Sequence, residues 1–333
     1  MPQVVTLGDI NIDIIASISC YPAPGGDGLA ERAEVHSGGS AANTATVLAR
    51  FGVEVGVIGR VGRDPFAEQA LARLSEAGVD LCCIQRDDEV ITGIMFIPVT
   101  PDGERTMFGY RGANPRLDPV LLDEEYIAQA DVFHLSGYAL LAEPQRSAAR
   151  RAVEMAHRAS VTISLDVGLE AAARVTGEVR ALLPLVDLIF PSRAEAEHLT
   201  GSHDVGEAVR TLLGYGIETV ALKLGRQGCV VGSEGAIFSV PTFAVEVQDT
   251  TGAGDSFDAG FILGRLWGLG VRQSSVLANA LGALAASAVG AGDALPGPEK
   301  ARALLQGCRS DPVWQDWERE VNRILERLAV ASQ

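Results

Sequence analysis

Short aliphatic runs alternate with amphipathic helical periods along most of this chain, and that rhythm predicts a βα-alternating architecture. Residues 3–10 (QVVTLGDI) read as a buried strand ending in Gly8-Asp9, with Asn11 and Asp13 just past its end. A Pro/Gly-rich and then polar stretch, 21–37, leads into SGGSAANTATVLARFG. There Gly38 and Gly39 break the strand, and Ala42, Ala45, Val47, Leu48 and Ala49 give a helix of small residues with Asn43 near its first turn. Residues 53–64 predict a second strand, followed by an amphipathic helix with Pro65 at its start. The rhythm changes at 91–114, where two alternating apolar runs joined at Pro101-Asp102-Gly103-Glu104 predict a hairpin. Such a hairpin forms a flap beside a sheet, with Arg111 and Asn114 leading back from it.

From Ala130 the alternation resumes. DVFHLSGYAL precedes a helix over about 143–160, VTISLDVG a helix through 183, and VDLIFPS a helix at 193–199. A further helix ends near Gly214, TVALKLG is the next strand, and CVVGSEGAIFSV reads as a hairpin. Helices at 273–289 and 298–307 close the domain, and 311–333 reads as a charged, peripheral amphipathic helix. No repeat or linker divides the chain, so 1–310 is expected to be one domain.

The chemistry concentrates at QDTTGAGDSFDAGF, residues 248–261. A strand (Phe243, Val245 and Val247 on one side) is predicted to run into a glycine turn, after which a helix begins with Phe257, Phe261 and Leu266 on one face. Gly252 and Gly254 let the backbone approach an anion, so that N–H groups at the helix mouth, Ala253 included, converge on a phosphate. Asp255 sits beside this cradle, where a carboxylate would repel the ligand unless it serves as a base that takes a hydroxyl proton. Ordinary capping of the helix is the plain alternative. A dinucleotide fingerprint fails because Phe257 stands at its third glycine, and a Walker A loop is excluded because no Gly-Lys dipeptide occurs.

Composition narrows the partners. The 333 residues are 47% hydrophobic but only 5% aromatic, which suits strands sandwiched between helices. A net charge of −16 argues against nucleic acid or an anionic membrane as partner, while leaving phosphate binding to amides open. Five cysteines without C-x-x-C spacing imply a reducing compartment and no zinc site, and no segment reads as a signal or a membrane span. A cytoplasmic location is the expectation.

With these pieces in order, residues 3–305 resemble the ribokinase-like, or PfkB, family of carbohydrate kinases. The strongest elements are GGSAANTATVLARFG and the D-T-x-G-A-G-D-x-F block. The resemblance implies a doubly wound, mostly parallel sheet flanked by helices, with a small β lid from about 14–36 and 91–112. It implies an ATP-dependent sugar kinase with Asp255 as base and Gly252, Ala253 and Gly254 as anion hole. Asn11, Asp13, Gly38, Gly39 and Asn43 would bind sugar hydroxyls, joined by Arg111, Asn114 and Glu143. Ser192, Lys223, Gly225 and Asn279 would lie on the ATP side, and Glu195 would organise Mg²⁺ through water. Asp249 and Thr251 match positions that hold a monovalent cation such as K⁺. Two departures stand out: Ser192 replaces the Asn of N-x-x-E, and Asp166-Val167-Gly168 lacks the Asn of D-x-N.

The acceptor is less determined. Ser40 stands where ribokinases proper carry Lys, and the substrate side offers mainly Arg105 and Arg111 as cations. A sugar phosphate would need more positive charge. The expected reaction is transfer of the γ-phosphoryl group of ATP to a hydroxyl, expected to be primary, of a free sugar or sugar acid. A nucleoside kinase of the same family and a non-catalytic sugar or nucleotide sensor are the alternatives. A flap with one apolar face is also expected to pair with a second subunit, giving a homodimer through the lid.

Overall fold

The computed structural model describes residues 1–101, 106–288, 290 and 294–330. Strands β1 (Val4–Leu7), β4 (Val55–Gly62), β5 (Ile84–Asp87), β8 (Val132–Ser136), β9 (Thr162–Asp166), β10 (Leu188–Ile189) and β11 (Thr219–Lys223) run parallel. The antiparallel hairpin β12 (Cys229–Ser233) and β13 (Ala236–Val240) completes a nine-stranded sheet ordered β13-β12-β11-β10-β9-β8-β1-β4-β5. The parallel strands are aliphatic and buried because helices cover both faces. One face carries α1 (Ser40–Arg50), α2 (Pro65–Glu76), α9 (Ala253–Leu266), α10 (Val271–Ala286) and α11 (Pro298–Gly307). The other carries α3 (Glu124–Ala128), α4 (Gln145–Arg158), α5 (Leu169–Arg174), α6 (Thr176–Leu182), α7 (Arg193–Thr200) and α8 (Val205–Leu213).

A second, four-stranded sheet, β3-β2-β6-β7, is built from β2 (Asn11–Ile18), β3 (Ala30–Gly38), β6 (Gly93–Val99) and β7 (Phe108–Tyr110). Its β6 and β7 pair antiparallel as the hairpin pattern predicts; the turn residues Asp102, Gly103 and Glu104, and Arg105 beyond them, lie outside the described residues.

The structure departs from the sequence reading at several points. The first strand stops at Leu7 because Gly8 is pressed between helix and sheet: a Cβ there would lie 2.8 Å from both the Ala41 and Ser136 Cβ atoms. The chain turns at once into β2, so Asn11 and Asp13 lie on a strand and not in a loop. The polar stretch becomes β3, whose outward residues are mostly exposed and so leave no period of two. Strand β5 and helix α3 were not expected, and the helix through 183 is broken at Val175 into α5 and α6.

Residues 241–247, expected as a strand, belong to neither sheet nor helix. They leave an edge strand through Pro241, which has no N–H to pair. The segment expected to be peripheral packs its apolar side into the core: Trp314, Trp317 and, on α12 (Glu318–Val330), Val321, Ile324 and Leu328 join the cluster that contains α9 and α10.

Candidate active site

The carboxyl ends of β1, β8, β9 and β11 open towards the starts of α1 and α9, the position where open α/β sheets gather ligands. Gly252 takes φ 73°, a left-handed turn that starts α9 without any side-chain cap. Asp255 therefore does not cap the helix. Its Oδ2 instead accepts a hydrogen bond from Asn43 Nδ2 at 2.7 Å, and its backbone carbonyl accepts one from Thr44 Oγ1 at 3.4 Å, which fastens α9 to α1. Burial, with the Asp166 charge adding to it, pushes the Asp255 carboxyl up to about 6, against the bonds from Asn43 and Ser40.

One amide of the expected cradle is turned inward. The Ala253 N–H turns back onto the Thr250 carbonyl at 3.2 Å, closing the turn before the helix, so it is spent internally. The amides of Gly254 and Asp255, in the first helical turn, have no intrahelical acceptor by geometry and remain as the donors at the mouth. A methyl at Gly254 would stand 3.5 Å from Lys223 Nζ. This mouth lines a cavity of about 830 Å³ that also takes in Ser40, Asp166, Glu195, Lys223 and Phe243.

On the second sheet, Asp13 is buried and its Oδ1 has no hydrogen-bond partner among the described residues. Burial first, then the charges of Asp255 and Asp249, push its carboxyl up to about 7. Gly38 exists to admit it, since a Cβ at Gly38 would fall 2.2 Å from Asp13 Oδ2. Gly39 takes φ 101°, and a Cβ there would strike the Asp9 carbonyl at 2.1 Å. Of the five residues expected around the sugar, Asn43 is bonded to Asp255 and Asp13, with Gly38 against it, is near enough to feel the Asp255 charge, while Asn11 accepts from Asn114 and Gly39 starts α1.

Arg111, Asn114 and Glu143 do not join them as free ligands. Arg111 is engaged by both oxygens of Asp9, by Gln145 Oε1 and by the Tyr138 carbonyl. Fully buried Asn114 accepts from Ile10 N at 2.8 Å and donates to Asn11 Oδ1 at 2.8 Å, so it latches the start of β2. Glu143 is exposed and caps α4 through Ser147, whose bonds hold its carboxyl below the usual range.

On the other side, Ser192 and Glu195 form a capping box: the Ser192 N–H donates to Glu195 Oε2 at 2.8 Å, and Ser192 Oγ accepts from the Glu195 N–H. Burial raises the Glu195 carboxyl, opposed by Lys223. Gly225 lines the cavity at a positive φ of 57°. Asn279 spends its amide group on the carbonyls of Val240 and Pro241. Asp249 closes a loop, accepting from both N and Oγ1 of Thr251 at 2.9 Å and from Gly290 N at 2.8 Å.

Sequence reasoning missed Asp258. Its Oδ1 lies 3.1 Å from Lys223 Nζ, which also reaches Asp166 at 3.0 Å, and Ser40 Oγ donates to the other oxygen of Asp166. Burial opposes the Lys223 charge, but the two carboxylates hold its ammonium above the usual range. The available signal was an Asp inside the otherwise apolar helix FDAGFIL. Among the described residues no three His, Cys, Asp or Glu side chains group to hold a metal, and no helix is long and apolar enough to cross a membrane.

A cavity of this size, bordered by first-turn amides of α9 and by a buried carboxylate at the carboxyl ends of a doubly wound sheet, is a setting suited to phosphoryl transfer to an alcohol. The chain belongs to the pfkB family of carbohydrate kinases, whose model matches residues 1–298, and these are ATP-dependent enzymes. It is 34% identical over 291 residues to the ATP-dependent ribose-1-phosphate kinase of Halopiger xanaduensis, covering 87% of this chain and 94% of that one. It is 33% identical to fructokinase-1 of Oryza sativa, over 91% of this chain and 97% of the relative. Among solved structures, a putative ribokinase II from E. coli in complex with ATP and Mg²⁺ superposes with a TM-score of 0.84 at 27% identity, covering 92% of this chain and all of that one.

Proposed function

We propose that this sugar kinase transfers the γ-phosphoryl group of ATP to a hydroxyl of a free, neutral sugar, with Asp255 as the base. The observation that supports it most is the placement of Asp255, bonded by Asn43 and lining the same cavity as the α9 amides. The sugar hydroxyl gives its proton to the Asp255 carboxylate while its oxygen bonds to the γ-phosphorus. The bond to the β,γ-bridging oxygen breaks and ADP leaves. The amides of Gly254 and Asp255 stabilise the charge on the group in flight. Asp13, Asn11 and Asn43 orient the acceptor.

Mg²⁺ fits the acidic rim of the cavity through Glu195, and when bound with ATP it neutralises the triphosphate. Glu195 would hold it through water, since one of its oxygens is already committed to the Ser192 amide. Lys223 orders Asp166 and Asp258 beneath the amides. A monovalent cation would sit at the junction that Asp249 makes between Thr251 and Gly290.

The neutral acceptor is favoured over a sugar acid or phosphate because Arg111 is committed to Asp9, while the residues proposed to meet the sugar include the acids Asp13 and Asp255. One similar protein is named a ribose-1-phosphate kinase and another a fructokinase, and the charge around Asp13 sides with the free sugar. An ADP-release screen over pentoses, hexoses, sugar acids, sugar phosphates and nucleosides, with and without K⁺, tests the assignment. Turnover on a phosphorylated sugar or a nucleoside alone would reject the neutral-sugar reading, and ATP binding without turnover on any acceptor would favour a sensor.

The lid is also proposed as a dimer face. Val35, Ile14, Phe96 and Phe108 line up across its four strands, with Val35, Phe96 and Phe108 exposed. A monomeric mass at working concentration would reject that assembly.

A further inference from the structure

The wall of the nucleotide cavity formed by residues 241–247 has no ladder or helix of its own. It is tied at its start by Asn279 Nδ2, which donates to the carbonyls of Val240 at 3.3 Å and Pro241 at 3.0 Å. Just past its end, the Gln248 N–H donates to the Ala286 carbonyl at 2.9 Å. Between these ties Val245 packs against the core and Phe243 is held by an aromatic stack. Phe243 lines the cavity, and its ring lies on the Trp314 indole with centroids 4.0 Å apart and planes 19° apart. Both residues are almost fully buried.

Trp314 belongs to the turn Pro312–Trp317, beyond residue 298 where the family match ends. That turn is fixed independently of the cavity. Asp311 caps it through Val313 N at 2.9 Å, and Trp317 lies 4.1 Å beneath the Arg272 guanidinium, which is bonded to Glu320 of α12.

We propose that Trp314 is a positioning residue for the nucleotide: the C-terminal segment, through this stack, sets the place of Phe243 and with it the width of the ATP pocket. The inference rests on the reading of this cavity as the ATP site. A wall without backbone pairing holds its shape only through side-chain anchors, and a ligand that must order its own wall binds more weakly. Removing the indole leaves room behind Phe243, which can then swing away from the cavity. The sugar side, built on β2, α1 and the start of α9, does not depend on the stack.

Titration of the full-length protein with Mg²⁺ and a non-hydrolysable ATP analogue tests this in wild type, Trp314→Leu, Trp314→Phe and Trp317→Phe. Trp314→Leu is expected to weaken nucleotide binding about tenfold, the scale of losing a stacked aromatic pair and the wall it holds. Trp314→Phe is expected to stay within about threefold, and Trp317→Phe to match wild type, with the KM for sugar unchanged throughout. Wild-type affinity in a folded Trp314→Leu protein would overturn the proposal. So would an equal loss in Trp317→Phe, because the segment would then act only through general stability.

Should Trp314→Leu fail to fold, tryptophan emission carries the test. Nucleotide is expected to change the emission of wild type and to change that of Trp314→Phe much less; an undiminished change in the variant would overturn the proposal. No nucleotide binding by wild type would reject the ATP-site reading itself, and this inference with it.

Discussion

Arg111 grips Asp9 with two parallel hydrogen bonds of 2.9 and 2.8 Å, fastening the end of the second sheet to the end of β1. A bidentate pair of this kind fixes orientation as well as distance. The sequence places Arg111 near the sugar; the structure gives it the task of holding the floor on which Asn11 and Asp13 stand.

Arg111→Met should therefore cost stability before it costs chemistry. It leaves the Asp9 carboxylate, 8% exposed, without its cation, at a cost of about 2–4 kcal/mol in urea unfolding. The KM for sugar should rise as the lid loosens while the KM for ATP stays put. A variant with wild-type stability and an altered sugar preference would show instead that Arg111 contacts the acceptor.

Asp255→Asn should keep ATP binding and lower kcat by about 10²–10⁴-fold, the usual scale for a lost general base. The base must be ionised to work, so kcat/KM should fall as the pH drops through the region near 6 where burial places its carboxyl. Asp13, pushed up to about 7, titrates nearby and broadens that limb into apparent values that belong to the pair. A pH–rate profile flat from 5 to 8 would contradict the assignment of the base.

The frame of the fold was legible because parallel strands between helices are continuous aliphatic runs, and the glycine-rich turns before α1 and α9 announce themselves. Strand β3 was not, since AERAEVHSG is polar on both faces and carries no period of two. Nor could the roles of Arg111 and Asn114 be read, because the sequence shows that a donor lies near the site and not which acceptor claims it. Asp258 was missed for the opposite reason: a buried acid on an apolar helix needs a partner, and Lys223 is supplied by a strand 35 residues earlier. Trp314 lies farther still from the residue it supports, and nothing in its own segment points to Phe243.

Asp13→Asn should stabilise the folded protein at neutral and alkaline pH while impairing the enzyme. The folded carboxyl sits at about 7 against an ordinary value of 3.8, so between these limits the native state holds a proton that the unfolded chain has released. Stability then falls as pH rises through that window, and the full penalty is present above about 7. The interval corresponds to at most about 4 kcal/mol, and the neutral amide should recover about 1–3 kcal/mol of it at pH 8. At pH 4 the gain should vanish. Thermal melts of both proteins at the two pH values check this, and an equal difference at pH 4 and pH 8 would exclude a titration origin.

Lys223→Met leaves Asp258, with a fully buried side chain, facing no cation and should destabilise the protein by about 3–5 kcal/mol. Adding Asp258→Leu removes one of the two carboxylates left without their cation, Asp166 being the other, and part of the loss should return, because a buried ion pair is held against its own desolvation and an apolar pair of similar volume is not. The double substitution removes one positive and one negative charge, so the net charge beneath the α9 amides is unchanged. Nucleotide affinity in the double variant should therefore stay within about threefold of wild type if Lys223 serves chiefly to balance the buried charge of Asp258. A loss of a hundredfold or more in a stable double variant would mean that the ammonium acts on the phosphates directly, and that its two carboxylates release it when ATP arrives.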